Sequence, residues 1–197
     1  TNAGCTTPTV PGTTANIACW TDKSGNNSTL DTIVSDPQFQ ATNSANAVNF
    51  FPTVNFDGGD YIQTTGNIGN SVFMTGVAGS SGTMTMLGVL THTTNNTINW
   101  SHDTNASSAG RIVGNSTQTV LNATAVSKTV TLDTLTVPAI DGFLFNDAAG
   151  TSTTNYLNGL ANGTSNTPTT PIGYNYPLTI GAHGGGTAPM TGNVAEM

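Results

Sequence analysis

Two aspartates, Asp57 and Asp60, flank a Gly58-Gly59 pair inside the stretch NFFPTVNFDGGDYIQ, residues 49–63. Carboxylates at that spacing suit two kinds of chemistry. One is cation binding, because Ca²⁺ takes about six to eight oxygen ligands that Asp, Asn and loop carbonyls can supply. The other is turn chemistry, in which Asp side chains accept from backbone N–H groups while the glycines take angles other residues avoid. Asp57 and Asp60 are therefore candidate metal ligands, with Asp22, Asp103, Asp141 and Asp147 as further oxygen sources. Ca²⁺ is the cofactor such a set would hold, and a turn without metal is the alternative.

A second constellation suits sugar recognition, which needs flat aromatic rings beside Asn, Asp and Gly loop donors. Trp100, Tyr156, Tyr174 and Tyr176 are the aromatics expected near the surface. Tyr174-Asn175-Tyr176 has the alternation that puts two rings on one face of an extended segment. The glycine-rich GAHGGGTAP, residues 181–189, carries His183 and reads as a mobile rim loop. The candidate ligand contacts are thus Trp100, Tyr174, Asn175, Tyr176 and His183, against the alternative that Tyr176 packs at an edge. The loop lacks the Lys and Ser/Thr of a phosphate loop.

Catalysis finds little support. Glycoside cleavage usually needs two positioned carboxylates, yet Glu196 is the only glutamate and no two aspartates stand at i,i+2 on an expected strand. There is no G-x-S-x-G motif. His102 and Asp103 are adjacent, and strand neighbours point to opposite faces. No enzyme activity is expected.

Cys5 and Cys19 are the only cysteines. In an oxidising compartment a bond between them would close a short loop and contribute about 3 kcal/mol; two reduced, buried thiols are the alternative. N-x-S/T sequons begin at Asn26, Asn27, Asn95, Asn99, Asn105, Asn115, Asn122 and Asn162. That is about what chance yields in a chain so rich in Asn, Ser and Thr, so they indicate surface compatibility only.

The elements that must position these residues are strands. Only 7% of the 197 residues are charged, far below the roughly 25% of an ordinary soluble domain, and Thr, Asn, Ser and 23 Gly fill the difference. Thr favours strands and Gly/Asn clusters favour turns. Expected strands include PQFQ (37–40), FPTVNF (51–56), DYIQ (60–63), SVFMTGVA (71–78) and TMTMLGVL (83–90). TINWSH (97–102), RIVG (110–113), KTVTLDTLTV (128–137), GFLFN (142–146), NYLNG (155–159), YPLTIGA (176–182) and GNVAEM (192–197) follow. No long segment shows helical periodicity. The pattern predicts an all-β sandwich or jelly roll. A formal charge of -7 argues against nucleic acid and anionic membrane surfaces, and no apolar run is long enough to span a bilayer as a helix.

Taken in order, WTDKSGNN (20–27), FPTVNFDGGDYIQ (51–63), NYLNG (155–159), LTIGA (178–182) and GNVAEM (192–197) resemble the concanavalin A-like lectin/glucanase superfamily, specifically bacterial laminin-G-like surface modules. The resemblance implies a jelly-roll sandwich of two antiparallel sheets over residues 18–197; residues 1–17 are expected to precede it as an extension, tied down if Cys5 pairs with Cys19. In such modules the A-E segment leads into a further strand, whereas here the sequence stops at Met197. A missing last strand is expected on that ground, with an open C-terminal β edge available for self-assembly. The implied role is non-catalytic extracellular binding or adhesion, to glycan or protein on a cell surface, within a larger secreted or bacterial surface protein. The alternative is a structural subunit or spacer of a surface fibre with no small ligand.

Overall fold

Period-two alternation of apolar and polar residues, with no helical spacing to compete, predicts a chain built of strands. The computed structural model describes residues 15–20, 29–40, 52–66, 83–92, 98–102, 112–115, 118–121, 124–127, 138–146, 152–165 and 176–196. Every regular element among them is a strand. They are β1 (Ala15–Asn16), β2 (Leu30–Val34), β3 (Gln38–Gln40), β4 (Thr53–Asp57), β5 (Tyr61–Thr64), β6 (Thr83–His92), β7 (Ile98–His102) and β8 (Ile112–Asn115). They continue with β9 (Gln118–Leu121), β10 (Thr124–Ser127), β11 (Ala139–Asn146), β12 (Ser152–Leu157), β13 (Leu160–Ser165), β14 (Leu178–Ile180) and β15 (Thr191–Glu196).

The strands form two antiparallel sheets. One has eight strands in the order β1-β3-β4-β15-β6-β11-β12-β13, the other seven in the order β10-β9-β8-β7-β14-β5-β2. This is the expected all-β jelly-roll sandwich. Two of the connections that carry the chain between sheets are tight corners. β2 passes to β3 through Ser35 and Asp36, both left-handed at φ 59° and 60°. β4 passes to β5 through Asp57–Asp60, where Gly58 has φ 99° and a Cβ would stand 2.8 Å from the Thr191 hydroxyl. Only glycine fits both demands.

Strand phase decides which side chains meet between the sheets. Val54 and Phe56 of β4, Val194 of β15, Leu90 of β6 and Ala139 of β11 point inward from the larger sheet; Ile62 and Ile180 answer from the smaller. Met190, just ahead of β15, is also fully buried. Burying a side chain of this size contributes about 1.5–3 kcal/mol each. The Asn158-Gly159 turn joins β12 to β13 with φ 51° and 80°, the two left-handed residues that an Asn-Gly hairpin turn needs.

Two expectations about the chain's ends change. β15 pairs with β4 on one side and β6 on the other, so GNVAEM forms an interior strand and presents no open edge. Among the described residues the outermost strands of the larger sheet are β1 and β13. At the other end, β1 pairs with β3 and Ile17 is buried in the core, so the sandwich includes residues ahead of the boundary expected at 18. Cys5 lies outside the described residues, and Cys19 is not a free thiol. The expected strands at 71–78 and 128–137 also fall outside the described residues.

Candidate functional site

The β4–β5 corner brings Asp57 and Asp60 together. Asp57 Oδ1 accepts from the Gly59 N–H at 3.1 Å, and Asp60 Oδ2 accepts from the Asp57 N–H at 3.1 Å. The side chains thus serve the backbone of their own turn. They differ in exposure. Asp57 is exposed, whereas Asp60 is 3% exposed and its Oδ1 is buried with no hydrogen bond. Burial pushes the Asp60 carboxyl above the ordinary value, against the lowering effect of the Asp57 N–H; the negative charges of Asp57 and Asp36 push it further up. Among the described residues no group of three or more His, Cys, Asp or Glu is placed to hold a metal ion.

The segment after β14 closes over this corner. The Met190 N–H donates to the Gly181 carbonyl at 2.7 Å, His183 N to Thr187 O at 3.0 Å, and Gly186 N to His183 O at 2.8 Å. Gly181 (φ 89°) lies on the Phe56 ring and Gly186 (φ 82°) on the Tyr61 ring, both closer than a Cβ allows. The expected free rim loop is therefore a strapped one. His183, expected to contact ligand, is instead 5% exposed, because these bonds fold its segment inward.

Trp100 is also corrected. It was expected at the surface, but β7 register places it beside Ile180 and it is 4% exposed. Its ring stacks on Phe143 of the opposite sheet, centroids 5.2 Å apart and planes 18° from parallel. Its neighbour Ser101 faces the other way and donates to the Ala182 carbonyl at 2.9 Å. Tyr176 is half-buried. Tyr174 and Asn175 lie outside the described residues. The sequon at Asn162 is 7% exposed, which removes that side chain from the surface-compatible set.

The outer face of the larger sheet holds what the sequence did not announce. Register aligns Asn16 with Gln38, Gln38 with Asn55, Asn55 with Asn193, and Asn193 with Thr91. One uncharged polar row therefore crosses β1, β3, β4, β15 and β6. Asn55 Nδ2 donates to Asn193 Oδ1 at 2.9 Å and to the Gly192 carbonyl at 3.4 Å. Asn193 Nδ2 and its backbone N–H both donate to Thr91 Oγ1 at 3.2 Å. Gln40 Nε2 donates to Gln38 Oε1 at 3.3 Å.

On the same face, β6 and β11 present an apolar patch. Leu87 is 55% exposed and Ile140 43%. They flank Gly142, which pairs with Leu87 on one side and with Tyr156 on the other. The polar row and the apolar patch adjoin on one sheet face, which also carries exposed Asp57 two residues from Asn55 along β4. Its only sequence signal was alternation, Asn55 between Val54 and Phe56 and Asn193 before Val194. Alternation assigns faces but not neighbours.

No protein-family model matches the sequence, and no curated protein matches it. Among solved structures, the Emp46p carbohydrate recognition domain (as a point variant) is similar with TM-score 0.40 at 6% identity, over 84% of this chain and 85% of that one. The Emp47p carbohydrate recognition domain is similar with TM-score 0.42 at 7% identity, over 91% and 92%. The sandwich described above rests on this chain's own strand pairing.

Proposed function

We propose that this chain is a non-catalytic binding module of an extracellular, cell-surface or secreted protein, and that it engages glycan or a surface partner through the outer face of the larger sheet. The observation that supports this reading is the uncharged polar row beside the Leu87–Ile140–Tyr156 patch. Hydroxyl-rich ligands need amide and hydroxyl partners next to an apolar platform, and that combination occurs here on one sheet face. Catalysis is not part of the reading: the chain has a single glutamate, and the two aspartates brought together at the β4–β5 corner hydrogen-bond the backbone of their own turn.

A glycan array with folded protein, run with and without Ca²⁺, tests it. Binding that is lost on Thr91→Val supports the reading; a flat array in both buffers contradicts glycan recognition. The difference between the two buffers tests the Ca²⁺ expectation separately. A fibre subunit is the second reading, favoured by one observation: Leu160 is 75% exposed on β13, an outermost strand of the larger sheet. Sedimentation showing concentration-dependent assembly that Leu160→Asp abolishes would favour it.

A further inference from the structure

We infer that the ligand of this face is a neutral, extended glycan chain lying across the strands along Asn16, Gln38, Asn55, Asn193 and Thr91, an inference that rests on the binding-module reading. Neighbouring strands stand about 4.8 Å apart, so the row spans roughly 19 Å. That step is close to the length of one pyranose unit in an extended chain, so successive sugars meet successive strands.

The hydrogen bonds within the row define what it offers. Thr91 Oγ1 already accepts from Asn193 N and Nδ2, so its own hydroxyl proton is left to donate. Asn55 Nδ2 is committed to Asn193 Oδ1 and Gly192 O, so Asn55 Oδ1 is left to accept. Gln38 Oε1 takes the Gln40 amide, which leaves the Gln38 Nε2 protons to donate. Donor, acceptor and donor therefore recur along one line, and the Asn55–Asn193–Thr91 bonds polarise one another. A sugar hydroxyl both donates and accepts, and satisfies each position in turn.

Charge selects among glycans. The row has no charged side chain, Asp57 shares its face two residues from Asn55 along β4, and the chain carries -7 overall. A polyanionic glycan would bring carboxylates, which can only accept, beside Asn55 Oδ1 and Asp57, and would meet a repulsive field. An added peptide strand needs an open backbone edge, which a sheet face does not offer.

The test is titration calorimetry with cellohexaose, xylohexaose and laminarihexaose, beside glucose, xylose and polygalacturonate. At least one neutral hexasaccharide should bind, its monosaccharide at least about tenfold more weakly, and polygalacturonate not at all. Thr91→Val and Gln38→Ala should each weaken the hexasaccharide about tenfold. Gln38 is exposed, so its truncation leaves the fold intact and keeps the test valid if Thr91→Val unfolds. Preference for a monosaccharide, an anionic glycan or a protein, with binding still on this face, overturns the inference and leaves the binding-module reading standing. Hexasaccharide binding unchanged in both variants overturns the placement. No binding by any glycan or protein overturns both.

Discussion

Replacing Asp60 by Asn should stabilise the protein at neutral pH and remove a pH dependence. Asp60 is 3% exposed, its Oδ2 caps the Asp57 N–H, and its Oδ1 is buried without a hydrogen bond. Burial, then the charges of Asp57 and Asp36, hold its carboxyl above the ordinary 3.8. The folded state therefore keeps a proton that the unfolded chain has released. Where the native state binds more protons, stability falls as pH rises. The contribution of Asp60 is complete below about pH 3.8 and is lost as pH climbs through the raised folded value. Asn keeps the carbonyl oxygen for the Asp57 N–H and puts an N–H₂ group, able to donate towards Asp57, where the orphaned oxygen was. Removing a buried, unsatisfied charge is worth about 1–3 kcal/mol, and part is returned in fitting the amide, so a net gain of about 1 kcal/mol is expected at pH 7. For a chain of this length that is roughly 2–4 °C in Tm. Thermal melts of both proteins from pH 3.5 to 8 measure it. The gap should widen as pH rises and close towards pH 3.5. A variant less stable than the parent at pH 7, or a gap that shrinks with rising pH, refutes the reasoning.

Gly181→Ala should cost about 1–3 kcal/mol in urea unfolding, because φ is 89° and the new Cβ would meet the Phe56 ring at 2.6 Å. Phe143→Ala should cost about 3–5 kcal/mol and shift Trp emission, since it removes the ring stacked on Trp100. Oxidised protein should resist alkylation at Cys5 and Cys19, and Cys5→Ser should lower stability by about 3 kcal/mol; rapid labelling of two thiols in the native, unreduced protein would contradict the bond.

Much of the fold was readable from residues 51–63, because Val54 and Phe56 must share a face and Gly58 must turn the chain. The ambiguity at Asp57 and Asp60 was also readable, but which carboxylate would be buried was not. Both sit in one turn, and burial of Asp60 follows from β5 register and from the strap at 181–190. Trp100 misled for a related reason. It was expected near the surface, whereas an alternating strand can hide one residue and show the next. His183 misled because a run of glycines suggests freedom, yet here the glycines allow close approach to Phe56 and Tyr61. The polar row was invisible because Asn16, Gln38, Asn55, Thr91 and Asn193 are scattered through the sequence and meet only through pairing. The interior place of the C-terminal strand was hidden in the same way, because its partners β4 and β6 lie far away in the chain.

The most direct measurement of the proposed binding face is an NMR titration that follows the side-chain amides of Asn55, Asn193 and Gln38 while a neutral hexasaccharide is added. Binding on the outer face of the larger sheet predicts saturable shifts in these three amides and in the backbone N–H groups of Leu87 and Thr91. Shifts confined to the 181–190 strap, or to the seven-stranded sheet, with the three amides unmoved, would contradict it.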